Sequence, residues 1–186
     1  MESKSTLRRI HRKKSGPEDG VFSPRGSGFR CVGIKVGSGA GLAGRQFRDF
    51  YGQDVASLAA QARRGVPSSD LVLVSRAMGR PNEYLYRILN FPVATAKRKL
   101  KTGEKISPEQ SERLIGLQRI IGHVETMMEE SGVRGEPFDA PSWVADWLDR
   151  PCPALGNKRP ADLMDTRMGQ EVIEGLLAQM QSGAYA

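Results

Sequence analysis

Histidine and cysteine are almost missing from this chain, with two of each among 186 residues. Cys31 and Cys152 stand in unrelated segments, so neither a disulfide framework nor a metal knuckle is expected, which suits a reducing cytosol. Cys152 lies between two prolines with no histidine near it, and a thiol nucleophile there would lack its base. His11 sits in a basic run, and His123 stands alone in a long helical pattern. Glu125, Glu129 and Glu130 share that pattern, but no His or further acid stands beside them at metal-ligand spacing. No catalytic residue, metal or cofactor is therefore expected, and the chain does not read as an enzyme. Aromatic residues are scarce at 6%, although a hydrophobic fraction of 39% still allows a core. No apolar run approaches the roughly 20 residues that cross a bilayer. The basic start is not followed by a continuous apolar stretch, so no signal peptide is expected. The expected location is the cytoplasm, with no membrane partner.

One glycine run offers a lead towards an enzyme. Gly39, Gly41 and Gly44 satisfy G-x-G-x-x-G after a short apolar stretch, Cys31 to Val36. A dinucleotide loop also needs a following helix and a second strand bearing an acid. A helix over Asp54 to Arg64 is plausible, but Gly65, Pro67 and further helical patterns come next, with no second strand. A flexible linker is the better reading of this region.

What the chain has is positive charge, unevenly placed. Lys and Arg outnumber Asp and Glu by 28 to 21, and the pI is about 9.7. Residues 1–30 carry net +5, residues 31–130 net +5, and residues 131–186 net −3. A basic balance favours an anionic partner such as nucleic acid. The C-terminal part has a different electrostatic task. Residues 1–30, with Arg8, Arg9, Arg12, Lys13 and Lys14, bury too little to order themselves. They read as a disordered arm, either a plain solvated leader or a DNA-contacting one.

From residue 66 the pattern is helical, in short pieces. Ser69 or Asp70 can cap a helix with Leu71, Val74 and Met78 inward, stopped by Gly79. Pro81-Asn82 opens another with Leu85, Ile88 and Leu89 on one face. After the short turn Asn90-Phe91, Pro92 suits the first position of a third, which Gly103 closes. Ser107-Pro108-Glu109-Gln110 reads as a capping box before a long helix with one stripe: Leu114, Leu117, Ile121, Val124 and Met128. Beyond a Gly/Pro break, Asp139 can cap a helix carrying Trp143, Val144, Trp147 and Leu148. Pro151, Pro153 and Pro160 bracket a tight non-helical turn. A last helix from near Asp165 shows Met168, Val172, Ile173, Leu176, Leu177 and Met180, and ends at Gly183. The expected fold is all-α. Its organisation is an arm and linker over 1–65, a helix-turn-helix domain over 66–130 and a C-terminal unit over 131–186.

The two helices around Asn90-Phe91 have helix-turn-helix dimensions. In the second, Val93, Ala96 and Leu100 point inward on this reading. Ala94, Lys97, Arg98 and Lys101 form the opposite stripe, with Lys99 beside it and Thr95 near the N-terminus. A recognition helix needs a small leading end for the major groove and cations that reach phosphates and base edges. The same layout also describes an ordinary solvated face.

The segment Trp147-Leu148-Asp149-Arg150-Pro151-Cys152-Pro153-Ala154-Leu155-Gly156, continuing Asn157-Lys158-Arg159-Pro160-Ala161-Asp162-Leu163-Met164-Asp165-Thr166, carries more specific lettering. It closely resembles the C-terminal segment of the Xre/MbcA/ParS toxin-binding antitoxins. Asn157 stands where a second glycine is usual in that family, and Met164 where leucine is usual. Upstream, Tyr84 to Leu89, Thr95-x-x-Arg98, Lys101-x-Gly103 and Ser107-Pro108-Glu109 resemble the family's Xre-like helical domain. The resemblance covers about residues 66–186 and is most specific in the last forty.

The resemblance implies an antitoxin paired with a RES-domain toxin, an enzyme that degrades NAD or transfers ADP-ribose from it. The antitoxin needs no cofactor, and its C-terminal region covers the toxin's active-site cleft. Carried onto this sequence, the toxin-binding residues are Leu155, Gly156, Arg159, Leu163, Asp165, Gly183, Tyr185 and Ala186. The last three are expected to reach towards the cleft. Asp162, Asp165, Glu171 and Glu174 would complement a cationic pocket built for phosphates. A homodimer would present Ala94, Thr95, Lys97, Arg98, Lys99 and Lys101 to operator DNA, repressing its own operon. The competing expectation is a stand-alone transcription regulator whose C-terminal hairpin only dimerises.

Overall fold

The computed structural model describes residues 43–132 and 138–183. The basic arm, the stretch Cys31 to Val36, Gly39, Gly41, Tyr185 and Ala186 lie outside the described residues. Among the described residues the chain is all-α, with eight α-helices, two 3₁₀ turns and no strand. Two isolated bridges, Pro67–Lys105 and Cys152–Lys158, pin loops together.

The helix Pro108–Glu130 is the centre; it is α6 in chain order. Its start is the expected capping box. The Ser107 hydroxyl accepts from the Gln110 backbone N–H, and the Gln110 side chain accepts from the Ser107 N–H. The expected single apolar stripe understates it, because Ile115, Gly116, Gln118, Ile120, Gly122, His123, Glu125 and Met127 are buried as well. A helix buried around most of its girth is a core helix, and its neighbours pack on several sides.

One side takes the helices Ala43–Gly52 (α1) and Val55–Arg64 (α2). α1 crosses α6 at Gly122, where a Cβ would run into the Phe47 backbone. Phe47 and Phe50 seal the crossing, and Leu58 and Ala62 of α2 extend it. Asp54 caps α2 by accepting from the Ser57 N–H at 2.9 Å. This region thus holds two helices with Phe47, Phe50, Leu58 and Ala62 in the core, whereas the sequence reading allowed a helix over Asp54 to Arg64 but preferred a flexible linker. The glycines and arginines around them mask four core residues, and the partner that needs them is a glycine 75 positions downstream of Phe47.

The helices Ser69–Ala77 (α3), Asn82–Ile88 (α4) and Val93–Thr102 (α5) follow. Ser68 occupies the N-cap of α3 in place of the expected Ser69 or Asp70, and makes no capping bond. Its hydroxyl donates to the Lys99 carbonyl at 3.0 Å, tying α3 to α5. Pro92 is the N-cap of α5, one place before the first helical residue. α4 buries Tyr84 and Tyr86 in addition to Leu85 and Ile88, so only its polar residues reach solvent.

The C-terminal part adds the helices Ala140–Leu148 (α7) and Arg167–Ser182 (α8). Asp139 caps α7 through the Ser142 N–H, and Thr166 caps α8 through the Gly169 N–H, both at 3.1 Å. Gln170, fully buried, locks α8 onto α6. Its amide donates to the carbonyls of Arg113 at 2.9 Å and Met164 at 3.0 Å. Gly116 makes room, since a Cβ there would strike the Gln170 side chain. Leu71, Leu85, Leu114, Val144, Leu148, Met164, Ile173 and Leu177 belong to one continuous core. The helix-turn-helix and the C-terminal helices therefore share an interior.

Candidate functional site

The α4–turn–α5 unit has the expected outline. Leu85, Ile88, Leu89 and Phe91 anchor it, and Asn90 turns the chain with φ 51. Asn tolerates this left-handed conformation better than most non-glycine residues. Ala96 is buried and Leu100 half-buried, as expected, but Val93 is 47% exposed. As the first helical residue it projects past the end of the core, because side chains lean towards a helix N-terminus.

Ala94, Lys97, Arg98 and Lys101 are exposed along one stripe, with Thr95 and Lys99 half-buried beside it. Two of these cations have acidic partners that the spacing within α5 did not reveal. Lys97 pairs with Glu83 of α4 at 3.1 Å, and Arg98 with Glu104 at 2.9 Å. The Glu83 carboxyl lies below its ordinary range, held first by its own backbone N–H and then by Lys97. The Thr102 hydroxyl, then Arg98, does the same for Glu104. The Lys99 ammonium donates to the Lys105 carbonyl at 2.8 Å.

The C-terminal motif folds into two 3₁₀ turns, Pro153–Leu155 and Pro160–Leu163, where a tight non-helical turn was expected. Gly156 caps the first with φ 64, and Asn157 follows at φ 63. The second glycine usual at position 157 thus answers a left-handed backbone, and Asn is the side chain that best replaces it. The Cys152 N–H donates to Lys158 O at 3.0 Å and closes the loop. Leu155 and Leu163 are half-buried, and Gly156 is exposed. Arg159 binds Asp162 at 2.7 Å, which holds the Asp162 carboxyl below its usual range. Asp165 is half-buried, and its carbonyl accepts from Arg113. Gly183 ends α8 in the left-handed region.

Arg113 escaped the sequence reading. Its guanidinium touches the Asn90 and Asp165 carbonyls at 3.5 and 3.4 Å and lies over the Phe91 ring. It joins the helix-turn-helix turn to the entry of α8. α4 and the turn before it are also fastened to α7: Arg80 of that turn pairs with Asp146 at 2.6 Å, and the Tyr84 hydroxyl donates to Ala145 O at 3.3 Å. Burial, acting first, raises the Tyr84 pKa. His123, expected as a lone helical histidine, is buried. It stacks on Tyr51 at 4.5 Å and meets the Gln181 amide oxygen at 3.2 Å.

Among the described residues, no group of three or more His, Cys, Asp or Glu is placed to hold a metal ion. Among them also, no helix is long and apolar enough to cross a membrane. Residues 57–119 match the family described as the antitoxin Xre-like helix-turn-helix domain. Residues 136–183 match the antitoxin Xre/MbcA/ParS C-terminal toxin-binding domain. A relative from Sphingobium sp. (strain YBL2), named Prs ADP-ribosylating antitoxin, is 37% identical over 155 residues. The alignment covers 83% of this chain and 97% of the relative. The first match spans α4 and α5, the second spans both 3₁₀ turns and α8, and the chain belongs to the Xre/MbcA/ParS antitoxins, with a helix-turn-helix domain followed by a toxin-binding domain.

Proposed function

We propose that this chain silences a RES-domain, NAD-consuming toxin by covering its active site, and that a homodimer of it represses its own operon. The observation that carries the first part is the match of residues 136–183 to a toxin-binding domain. The relative's name refers to ADP-ribosylation. This favours ADP-ribose transfer over NAD degradation as the reaction held in check. A cleft that binds the pyrophosphate of NAD is cationic, and residues 131–186 bring five Lys and Arg against eight Asp and Glu. In this reading the chain performs no chemistry itself; it excludes NAD.

Leu155, Gly156, Arg159, Leu163 and Asp165 form the rim of the blocking surface. Gly183, Tyr185 and Ala186 are, in this reading, the residues that meet the cleft itself. The decisive measurement is NAD consumption by the product of the neighbouring gene, with and without this chain co-purified. Suppression at one equivalent is expected, and full consumption in the presence of excess chain would sink the reading. A regulator whose C-terminal helices only dimerise would also leave consumption untouched. Stopping the chain after Ser182 tests the tail separately: growth fully rescued by the shortened chain would remove Gly183, Tyr185 and Ala186 from the site.

Operator binding rests on the exposed stripe of α5. Its ion pairs with Glu83 and Glu104 are exposed, and such pairs contribute little and yield to a phosphate. In this reading α5 enters the major groove with Ala94 and Thr95 leading, while Lys97, Arg98, Lys99 and Lys101 reach the backbone and base edges.

A further inference from the structure

α8 has two apolar faces, and only one is covered. Gly169, Gln170, Ile173, Leu176 and Leu177 turn inward. Met168 and Val172 were part of the same apolar pattern in the sequence, yet they are 78% and 51% exposed. At about 100° per residue they fall well to one side of the Ile173–Leu177–Met180 stripe, so the core cannot cover both sets. One turn further along, Gly175 has open space where a Cβ would stand, and Gln179 continues the line in solvent. Spacings of four and three put Met168, Val172 and Gly175 on a single exposed strip. Single exposed apolar side chains are ordinary, whereas two large ones leading to a bare glycine form a contact surface with a notch.

We propose that this Met168–Val172–Gly175 strip of α8 is the surface against which the toxin packs. Gly175 would receive a side chain of the enzyme, and Glu171 at the border, paired with Arg167 of its own helix at 3.0 Å, would exchange that exposed pair for a cation on the enzyme. The inference rests on the reading of the C-terminal region as toxin-binding, and adds to it a particular face of α8. Within the matched stretch 136–183, Met168 and Val172 are the exposed large hydrophobic residues among those described. Charge selects the occupant. The net −3 of residues 131–186 repels DNA. A two-fold pairing of α8 with a second copy would bring two net-negative segments together. A toxin surface with an apolar ridge between cations suits the strip. The polarizable thioether of Met168 adapts to such a ridge with little rearrangement.

The test uses the full chain and its cognate toxin, the neighbouring gene's product, with variants Met168→Glu plus Val172→Glu, and separately Gly175→Leu. The second keeps the charge and favours the helix, so misfolding does not explain its effect. Both are expected to lose at least about 100-fold in toxin affinity by calorimetry. Melting temperature, oligomeric state and operator binding of the free antitoxin should stay at the wild-type values. Unchanged toxin affinity in both variants, with the wild type binding, would overturn the strip alone. Dissociation of a homodimer with toxin affinity retained would also overturn it, and assign the strip to a second copy. A wild-type chain that fails to bind the toxin would remove the parent reading as well.

Discussion

Helices α5 and α8 both lay one face on the same core and turn another outward. On α5 the outward face is cationic, and two of its charges are already engaged by Glu83 and Glu104. On α8 it carries Met168 and Val172 with no described side chain over them. An ion pair at the surface is exchangeable, weak in salt, and readily traded for a phosphate. An exposed apolar strip has nothing to trade; it gains only when a partner removes it from water. One molecule thus offers a salt-tunable surface and a salt-insensitive one, and the two can be separated by mutation.

The largest effect should come from loosening α8 while leaving α5 in place. In Gln170→Ala the carbonyls of Arg113 and Met164 lose their donor inside the core, and a cavity opens opposite Gly116. The combined cost is on the order of 2–4 kcal/mol, read as a fall in the denaturation midpoint. If the two surfaces are separable, toxin affinity falls with it under conditions where the protein stays folded and operator binding persists. Equal loss of both would show that the shared core makes them one unit.

Next in size is a pH effect that touches neither surface. Glu125 is buried on α6 beneath α1, with Arg48, Asp49 and Glu129 facing it, and burial pushes its pKa up to about 7. A carboxyl raised on folding favours the native state while protonated. Its contribution is therefore intact below about 4.5 and is lost as pH rises to about 7. Urea denaturation across that window should show stability falling by on the order of 3 kcal/mol in the wild type. Glu125→Gln should flatten the slope, and an unchanged slope would assign it to another group.

The helices from α3 onwards, the capping box, the α4–turn–α5 unit and the lettering of the C-terminal motif were all legible in the sequence, because each is local. A cap, a left-handed turn or a helical period needs only neighbouring residues. What sequence reading missed is long-range. Phe47 and Phe50 joined the core through Gly122, and Gln170 through Gly116, and no local spacing announces either pair. The apolar positions of the last helix were visible as a pattern, and only packing against the core separates the buried Ile173, Leu176 and Leu177 from the exposed Met168 and Val172. Glu83 sits on a different helix from the Lys97 it neutralises, so the basic stripe looked less compensated than it is.

That compensation leads to the two smaller predictions, both on α5. Lys97→Ala with Arg98→Ala should lower the salt slope of operator binding by roughly two, as each phosphate contact contributes about 0.9. Toxin affinity should not move. An unaltered slope would place the DNA surface elsewhere. The smallest effect is a gain. Glu104→Gln removes a negative charge beside the stripe and frees Arg98, while its side-chain amide oxygen still accepts from Thr102. Operator affinity should rise about two- to fivefold at low salt and converge with the wild type as salt screens the field. The direction separates two accounts of the ion pair. If Glu104 serves mainly to orient Arg98 towards a base edge, the variant binds more weakly and discriminates less between operator and random DNA. If Glu104 only competes with phosphate, affinity rises equally for both sequences and discrimination is unchanged, the outcome expected of an exposed pair whose acid is bound first by its own neighbour's hydroxyl.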